Sequence, residues 1–195
     1  TPIQRDLYQI VLDANNRAFE LIKPGIFYKD VHLASCRVLA EGLKSLGIMK
    51  GNIDEAVANG AHALFMPHGI GHMMGLDVHD MEDIGEDYVG YDDEISRSSQ
   101  FGLKSLRLGR RLQPGFVMTV EPGMYFITAL IEKWRAEKIN VDFIKFDDDA
   151  HSHKNAVGLM QITVDTGEWA AKEMGYNTFS KEDLYDEEYN IKMGC

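Results

Sequence analysis

Apolar residues recur at three- and four-residue steps through Ile3, Leu7, Ile10, Ala14, Ala18 and Leu21, the spacing of a helix with one buried face. Thr1 stands where it caps that helix, and Pro2 lies in the first turn, where its missing N–H costs nothing. Pro24-Gly25 ends the run. A second helix is expected from about Asp30 to Leu46, with Val31, Ala34, Val38 and Leu39 inward and Gly47 as its C-terminal cap. Cys36 falls in this helix and reads as a small packed residue. A short amphipathic piece follows near 54–58.

From Ala61 the pattern changes. Ala63-Leu64-Phe65-Met66 reads as a short buried strand, after which Pro67, Gly69, Gly71 and Gly75 oppose helix. The polar, Gly-dotted stretch from about Asp80 to Gly109 reads as a long surface excursion. Leu112-Gln113-Pro114-Gly115 has the residues of a type II turn, and it launches a β-branched run from Phe116 to Glu121. Strand alternation puts Val117, Thr119 and Glu121 on one face and Phe116, Met118 and Val120 on the other. Thr128 is placed to cap a helix reaching about Glu137, and 158–164 reads as another strand closed by Asp165-Thr166-Gly167. The tail from Ser180 is acidic and Tyr-rich with no clear period. Helices first and strands afterwards suggest an α+β fold.

Charge narrows the partners. The 195 residues carry 31 Asp+Glu against 20 Lys+Arg, a formal net charge of −11, which argues against nucleic acid or an anionic membrane. Two cysteines, Cys36 and Cys195, exclude a disulfide framework and a Cys-rich zinc site, and fit a reducing, cytoplasmic setting. No apolar run approaches the roughly 20 residues that cross a bilayer. The chain opens on Thr1 rather than Met, so an upstream portion is expected.

The chemistry concentrates in two places. His68, His72 and His79 fall within a dozen residues, interleaved with Gly69, Gly71 and Gly75 and followed by Asp77 and Asp80. Imidazole is the commonest ligand for transition metals and the usual proton carrier near neutrality, and glycine lets backbone come close to a ligand. His68 and His72 are four apart, but Gly-Ile-Gly between them lacks the Glu of the helical zinc-protease motif. The second place is Glu121, a carboxylate at the end of an apolar strand, where burial as an ion needs a metal or partner. Arg107, Arg110 and Arg111 form a basic cluster best suited to ion pairs, with substrate carboxylate binding as the other option. Met66, Met73, Met74 and Met81, Trp134 and Trp169, and Tyr125 and Phe126 are first read as packing residues, the last two also as possible walls of a proline-sized pocket.

The His68–Asp80 loop, followed by Gly102-Leu103-Lys104-Ser105-Leu106-Arg107 and then by Leu112 through Ile127, resembles the prolidase and Xaa-Pro aminopeptidase branch of the pita-bread metallopeptidases. Thr1 to Gly25 resembles that family's first helix, and the similarity reaches about Asp147. The resemblance implies a partial pita-bread fold with helices packed on a curved antiparallel sheet, occupying 1–167, with 168–195 a divergent acidic tail. It also implies two divalent metal ions, Mn²⁺ foremost, a proline-containing peptide as substrate, and a homodimer. His72 matches the family's metal-ligand histidine. Glu121 matches a carboxylate that binds metal and accepts a proton from the attacking water. His68 and His79 match histidines lining the substrate pocket, with His79 steadying the scissile carbonyl. The activity implied is hydrolysis of the bond between an N-terminal residue and proline.

Three family ligands have no counterpart here. Two are aspartates upstream of the first helix, and the third, a glutamate, corresponds to Val157 or Gly158. The chain is therefore expected to bind metal weakly and not to hydrolyse peptides usefully by itself. Asp147, Asp148, Asp149, His151, His153, Asp165 and Glu168 are conceivable substitute ligands, though a solvated acidic loop is their simpler role. Two other functions compete: a metal-free binding module for peptides or proteins, and hydrolysis of a small guanidino compound on the same fold.

Overall fold

The computed structural model describes residues 1–146, 156–157, 162–163 and 180. Two compact units divide the chain, Thr1–Lys145 and Phe146–Cys195. In the first, α1 (Pro2–Leu21) packs along α2 (Tyr28–Ser45). The α1 stripe buries Ala14 and Ala18 completely, and α2 buries Tyr28, Val31, His32, Ser35, Cys36, Leu39, Ala40 and Leu43. Small residues at the seam bring the two helices close. The Ser35 hydroxyl donates to the Ala14 carbonyl at 2.9 Å, and Gly42 leaves room for Ile10, whose side chain would meet a Cβ there at 2.6 Å. The second helix starts two residues earlier than the pattern predicts because Tyr28 continues the buried stripe. It ends as expected, with Gly47 at φ 74° just beyond it, a backbone region glycine enters without strain.

Asn52 caps α3 (Ile53–Ala58), its side chain accepting from the amides of Asp54 and Glu55. The strand expected at Ala63–Met66 is instead a 3-10 turn over Ala61–Leu64, entered through Gly60 in the left-handed region. The segment is wholly buried, and short apolar runs carry no period that separates strand from helix. The excursion after Asp80 contains α4 (Glu86–Gly90) and a second 3-10 turn, Leu103–Ser105. It is pinned by Arg97, which binds Glu86 and Asp87 and donates to the carbonyls of Lys104 and Leu106. Gly115 takes φ 90° at the expected type II turn. α5 spans Thr128–Ala136, with Thr128 as its first helical residue and Ile127 in the cap position assigned to Thr128 by the sequence. Trp134 on α5 is buried edge-to-face on Phe101.

Residues 116–121 are extended but do not form a regular strand; they meet the His loop through scattered pairings, including the Met73–Met118 bridge. Phe116, Met118 and Val120 pack on the core of Tyr28, Val31, Ile70, Leu108 and Leu112, so the predicted alternation of faces holds. In the second unit, β1 (Ala156–Val157) and β2 (Ile162–Thr163) pair antiparallel. Of the strand expected at 158–164, β2 is the part that falls among the described residues, and β1 lies just before it. The expected curved sheet is not formed among the described residues. Trp169, the turn at 165–167 and the candidate substitute ligands at 147–149, 151, 153, 165 and 168 lie outside them.

Candidate functional site

Three backbone hydrogen bonds lay the His loop antiparallel against residues 116–121. Glu121 N–H donates to the Ile70 carbonyl at 2.7 Å, Thr119 N–H to that of His72 at 3.0 Å, and Met74 N–H to that of Val117 at 2.9 Å. The Tyr28 hydroxyl donates to the Thr119 carbonyl from the core side. Burial, and secondarily the charge of Glu121, push the Tyr28 phenol well above its ordinary pKa, so it stays a neutral donor. This pairing puts His72 and Glu121 side by side on one face.

His72 is 7% exposed. Its Nδ1 lies 3.0 Å from the Met73 carbonyl, which only accepts, so Nδ1 carries the proton and Nε2 presents its lone pair. That Nε2 lies 3.1 Å from Glu121 Oε1. Thr119 joins the two: its hydroxyl accepts from His72 N–H at 3.0 Å and donates to Glu121 Oε1 at 2.7 Å. A nitrogen lone pair facing a carboxylate oxygen at this distance calls for a positive charge, either a second imidazole proton or a cation. The donor set fits a divalent ion. Nitrogen and oxygen ligands about 2.0–2.2 Å from one ion and at right angles to each other stand about 3 Å apart. A backbone carbonyl holding the far ring nitrogen is the usual support of a metal-binding histidine.

The other two histidines share the same cleft of about 260 Å³, which His68, His72, His79, Arg107, Glu121 and Tyr125 line. His68 Nδ1–H donates to the Gly69 carbonyl at 2.8 Å, and its Nε2 accepts from the Tyr125 hydroxyl at 3.1 Å. The His79 ring stands edge-on to His72, with centroids 4.4 Å apart, and its Nδ1–H donates to Glu82 at 2.7 Å. Arg107 binds the other oxygen of Glu82 at 2.5 Å. The hydrogen bond from Arg107, and then that from His79, hold the Glu82 carboxyl down at about 2. All four residues singled out from the sequence therefore meet at one cleft.

Several neighbours escaped the sequence reading. Thr119 and Glu82 act only through contacts that folding creates. Arg107 forms the ion pairs expected of it, as Arg110 does with Asp92 and Arg111 with Glu94, yet it also borders the cleft. Tyr125, first read as packing, is 43% exposed and faces His68. Phe126 does pack, edge-to-face on Phe65.

Comparison with known proteins places the chain in a family. Residues 1–162 match the profile of metallopeptidase family M24, and residues 145–195 match that of the transglycosylase SLT domain. The chain is 39% identical over 144 residues to human Xaa-Pro dipeptidase, covering 74% of this chain and 28% of that protein. It is 39% identical over 134 residues to a probable Xaa-Pro aminopeptidase of Uncinocarpus reesii, covering 69% and 26%. Among solved structures, proline aminopeptidase P II from Yersinia pestis aligns with TM-score 0.50 and 39% identity over 64% of this chain and 24% of that one. Aminopeptidase PepP of Pseudomonas aeruginosa aligns with TM-score 0.51 and 34% identity over 69% and 27%. The chain thus spans less than a third of the length of these relatives, and its neighbours support a pita-bread-type fold. With a family profile covering residues 1–162, the chain belongs to metallopeptidase family M24.

Proposed function

We propose that this chain forms part of the catalytic domain of a metal-dependent peptidase that cleaves the bond ahead of proline. His72 and Glu121 would hold a divalent ion, Mn²⁺ foremost, one of a pair in the complete site. The observation that carries this reading is the approach of His72 Nε2 to Glu121 Oε1 at 3.1 Å, with the far ring nitrogen held at the Met73 carbonyl. When bound, such ions polarise the scissile carbonyl and lower the pKa of water. The protein supplies the rest. Glu121, half-exposed at the cleft, takes the proton of the attacking water. His79, held by Glu82 through Nδ1, would stand beside the scissile carbonyl. His68 and Tyr125 border the substrate. The finer parts of the proposal are a proline-containing peptide substrate, a homodimer, and a curved antiparallel sheet completing the pita-bread fold.

A metal-free binding module is less favoured. Such a module has no need of a lone pair aimed at a carboxylate, whereas a metal site does. By itself the 195-residue chain brings two donors to this point among the described residues, so metal affinity is expected to be weak and Xaa-Pro cleavage negligible. Mn²⁺ titration of the chain against a His72→Ala, Glu121→Ala double variant tests the assignment. Binding confined to the unsubstituted chain supports it; equal binding in both removes it.

A further inference from the structure

A second cluster of metal-binding side chains lies outside the cleft, in the core between α2 and the first 3-10 turn. His32 and Cys36 stand one turn apart on α2, and His62 faces them from the 3-10 turn. One ligand atom from each of the three lies within 4.8 Å of those of the other two. His32 and Cys36 are 0% exposed and His62 is 1% exposed. Cys36 Sγ is 3.4 Å from His32 Nε2, and the His32 and His62 rings meet edge-on with centroids 6.1 Å apart. Among the described residues neither ring nitrogen of His62 has a hydrogen-bond partner. A buried imidazole with both nitrogens unsatisfied is costly against one that is paired, and such an orphan calls for a missing ligand.

We propose that His32, Cys36 and His62 form a buried site for a soft monovalent metal ion, Cu(I), separate from the His72–Glu121 pair. Two imidazoles and a thiolate are a soft donor set of low coordination number, suited to copper and unsuited to Mn²⁺. Charge selects the oxidation state. Cu(I) with one thiolate is neutral, whereas a divalent ion would leave a net positive charge in a site without solvent. The thioether of Met66 belongs to the same buried cluster as Cys36, which keeps the surroundings soft and dry.

Binding has a defined proton balance. The ion replaces the Cys36 thiol proton, which leaves to solvent, and each imidazole stays neutral, keeping its one proton on the nitrogen that does not bind. Burial already keeps both rings neutral, with His32 lowered to about 3 and His62 to about 4. Unliganded His32 accepts from Ile70 N–H through Nδ1 at 3.2 Å, so its proton is on Nε2, towards Cys36. Coordination through Nε2 moves that proton to Nδ1, and the Ile70 amide loses its acceptor. Bringing three ligands to within about 2.0–2.3 Å of one ion also requires His62 to draw in by about 1 Å, a rotamer adjustment.

The test is titration of the 195-residue chain with Cu(I) under anaerobic, reducing conditions against a competing chelator, in parallel with Zn²⁺ and Mn²⁺. A His72→Ala, Glu121→Ala background separates this site from the cleft. The expected result is one tightly held Cu(I) in both backgrounds, an X-ray absorption spectrum with one sulfur and two nitrogen neighbours, and faster hydrogen exchange at Ile70. Cys36→Ala and His62→Gln are each expected to weaken binding at least about tenfold while circular dichroism reports the native helix content. If either variant fails to fold, the absorption spectrum of a Cys195→Ser chain, in which Cys36 is the one thiol, decides. A copper shell without sulfur, equal binding by a folded Cys36→Ala variant, or preference for Zn²⁺ over Cu(I) would overturn the proposal.

Discussion

Gly71 lies directly against the Thr119 carbonyl, so closely that any Cβ would overlap the carbonyl oxygen, with the Tyr28 hydroxyl 2.8 Å from the same point. This contact clamps the His loop to the segment bearing Glu121, and it is backbone against backbone, with no flexible side chain to give way. Gly71→Ala is therefore expected to push the two segments apart, costing about 1–3 kcal/mol of stability and abolishing Mn²⁺ binding at His72. Gly25→Ala offers a control for stability loss alone, since among the described residues no heavy atom lies within 4 Å of a Cβ there while its φ of 91° strains any L-residue. Urea denaturation and Mn²⁺ titration of both variants check the pair. Undiminished binding in Gly71→Ala would show that the clamp does not set the site.

Thr119 is the second control on the same geometry. Its hydroxyl bridges the His72 amide and the Glu121 carboxylate at 3.0 and 2.7 Å. Thr119→Val keeps the shape and removes both bonds, leaving Glu121 free to turn into solvent. Metal affinity is expected to fall by about 10- to 100-fold, the usual cost of losing a support behind a ligand, while Thr119→Ser retains most of it. Calorimetric titration with Mn²⁺ distinguishes the three proteins.

Much of this was legible in the sequence where a period or a special residue encodes it. α1 and α2 follow from apolar spacing, and Gly47 and Gly115 sit at positive φ as their neighbours require. The His loop and Glu121 were legible through residue type. The rest depends on partners distant in sequence. A buried apolar run of four carries no period, so Ala63–Met66 reads as strand where the fold places a 3-10 turn over Ala61–Leu64. The Arg97 network joins residues 7 to 11 positions apart in the chain, a span without helical or strand regularity. Cys36 reads as packing in the sequence, which its burial supports, but His62 reaches it only through folding.

Arg97 holds the segment after Asp80 in place. Its guanidinium is 2.7 Å from Glu86 Oε1 and Asp87 Oδ1, 3.1 Å from the Lys104 and Leu106 carbonyls, and 5.0 Å from the Tyr91 ring centroid. Arg97→Met removes these bonds, while Glu86 keeps Arg107 and the Leu106 carbonyl keeps the Tyr91 hydroxyl, and is expected to cost about 2 kcal/mol. It should also open residues 80–100 to limited proteolysis and loosen Glu82 behind His79. Arg97→Lys, which lacks the forked donors, should rescue little. A proteolysis pattern unchanged from that of the unsubstituted chain would refute this role.

Acid should unfold the first unit through its buried imidazoles. His32 is lowered to about 3 and His62 to about 4, chiefly by burial, against about 6.5 in an unfolded chain. The unfolded state therefore binds more protons than the folded one between these values, and stability falls as pH drops. The contribution is complete above about pH 6.5. It declines as pH falls towards 4 and then 3, the folded values of the two rings. His62→Leu removes one of the two titrations and the unsatisfied ring nitrogens together, so its urea midpoint should fall less steeply between pH 7 and pH 4.5 than that of the unsubstituted chain. Parallel pH dependences in the two proteins would mean that His62 is not held neutral by the fold. The metal-free chain is the form to measure, because an ion bound at Cys36 would add a proton-linked term of its own.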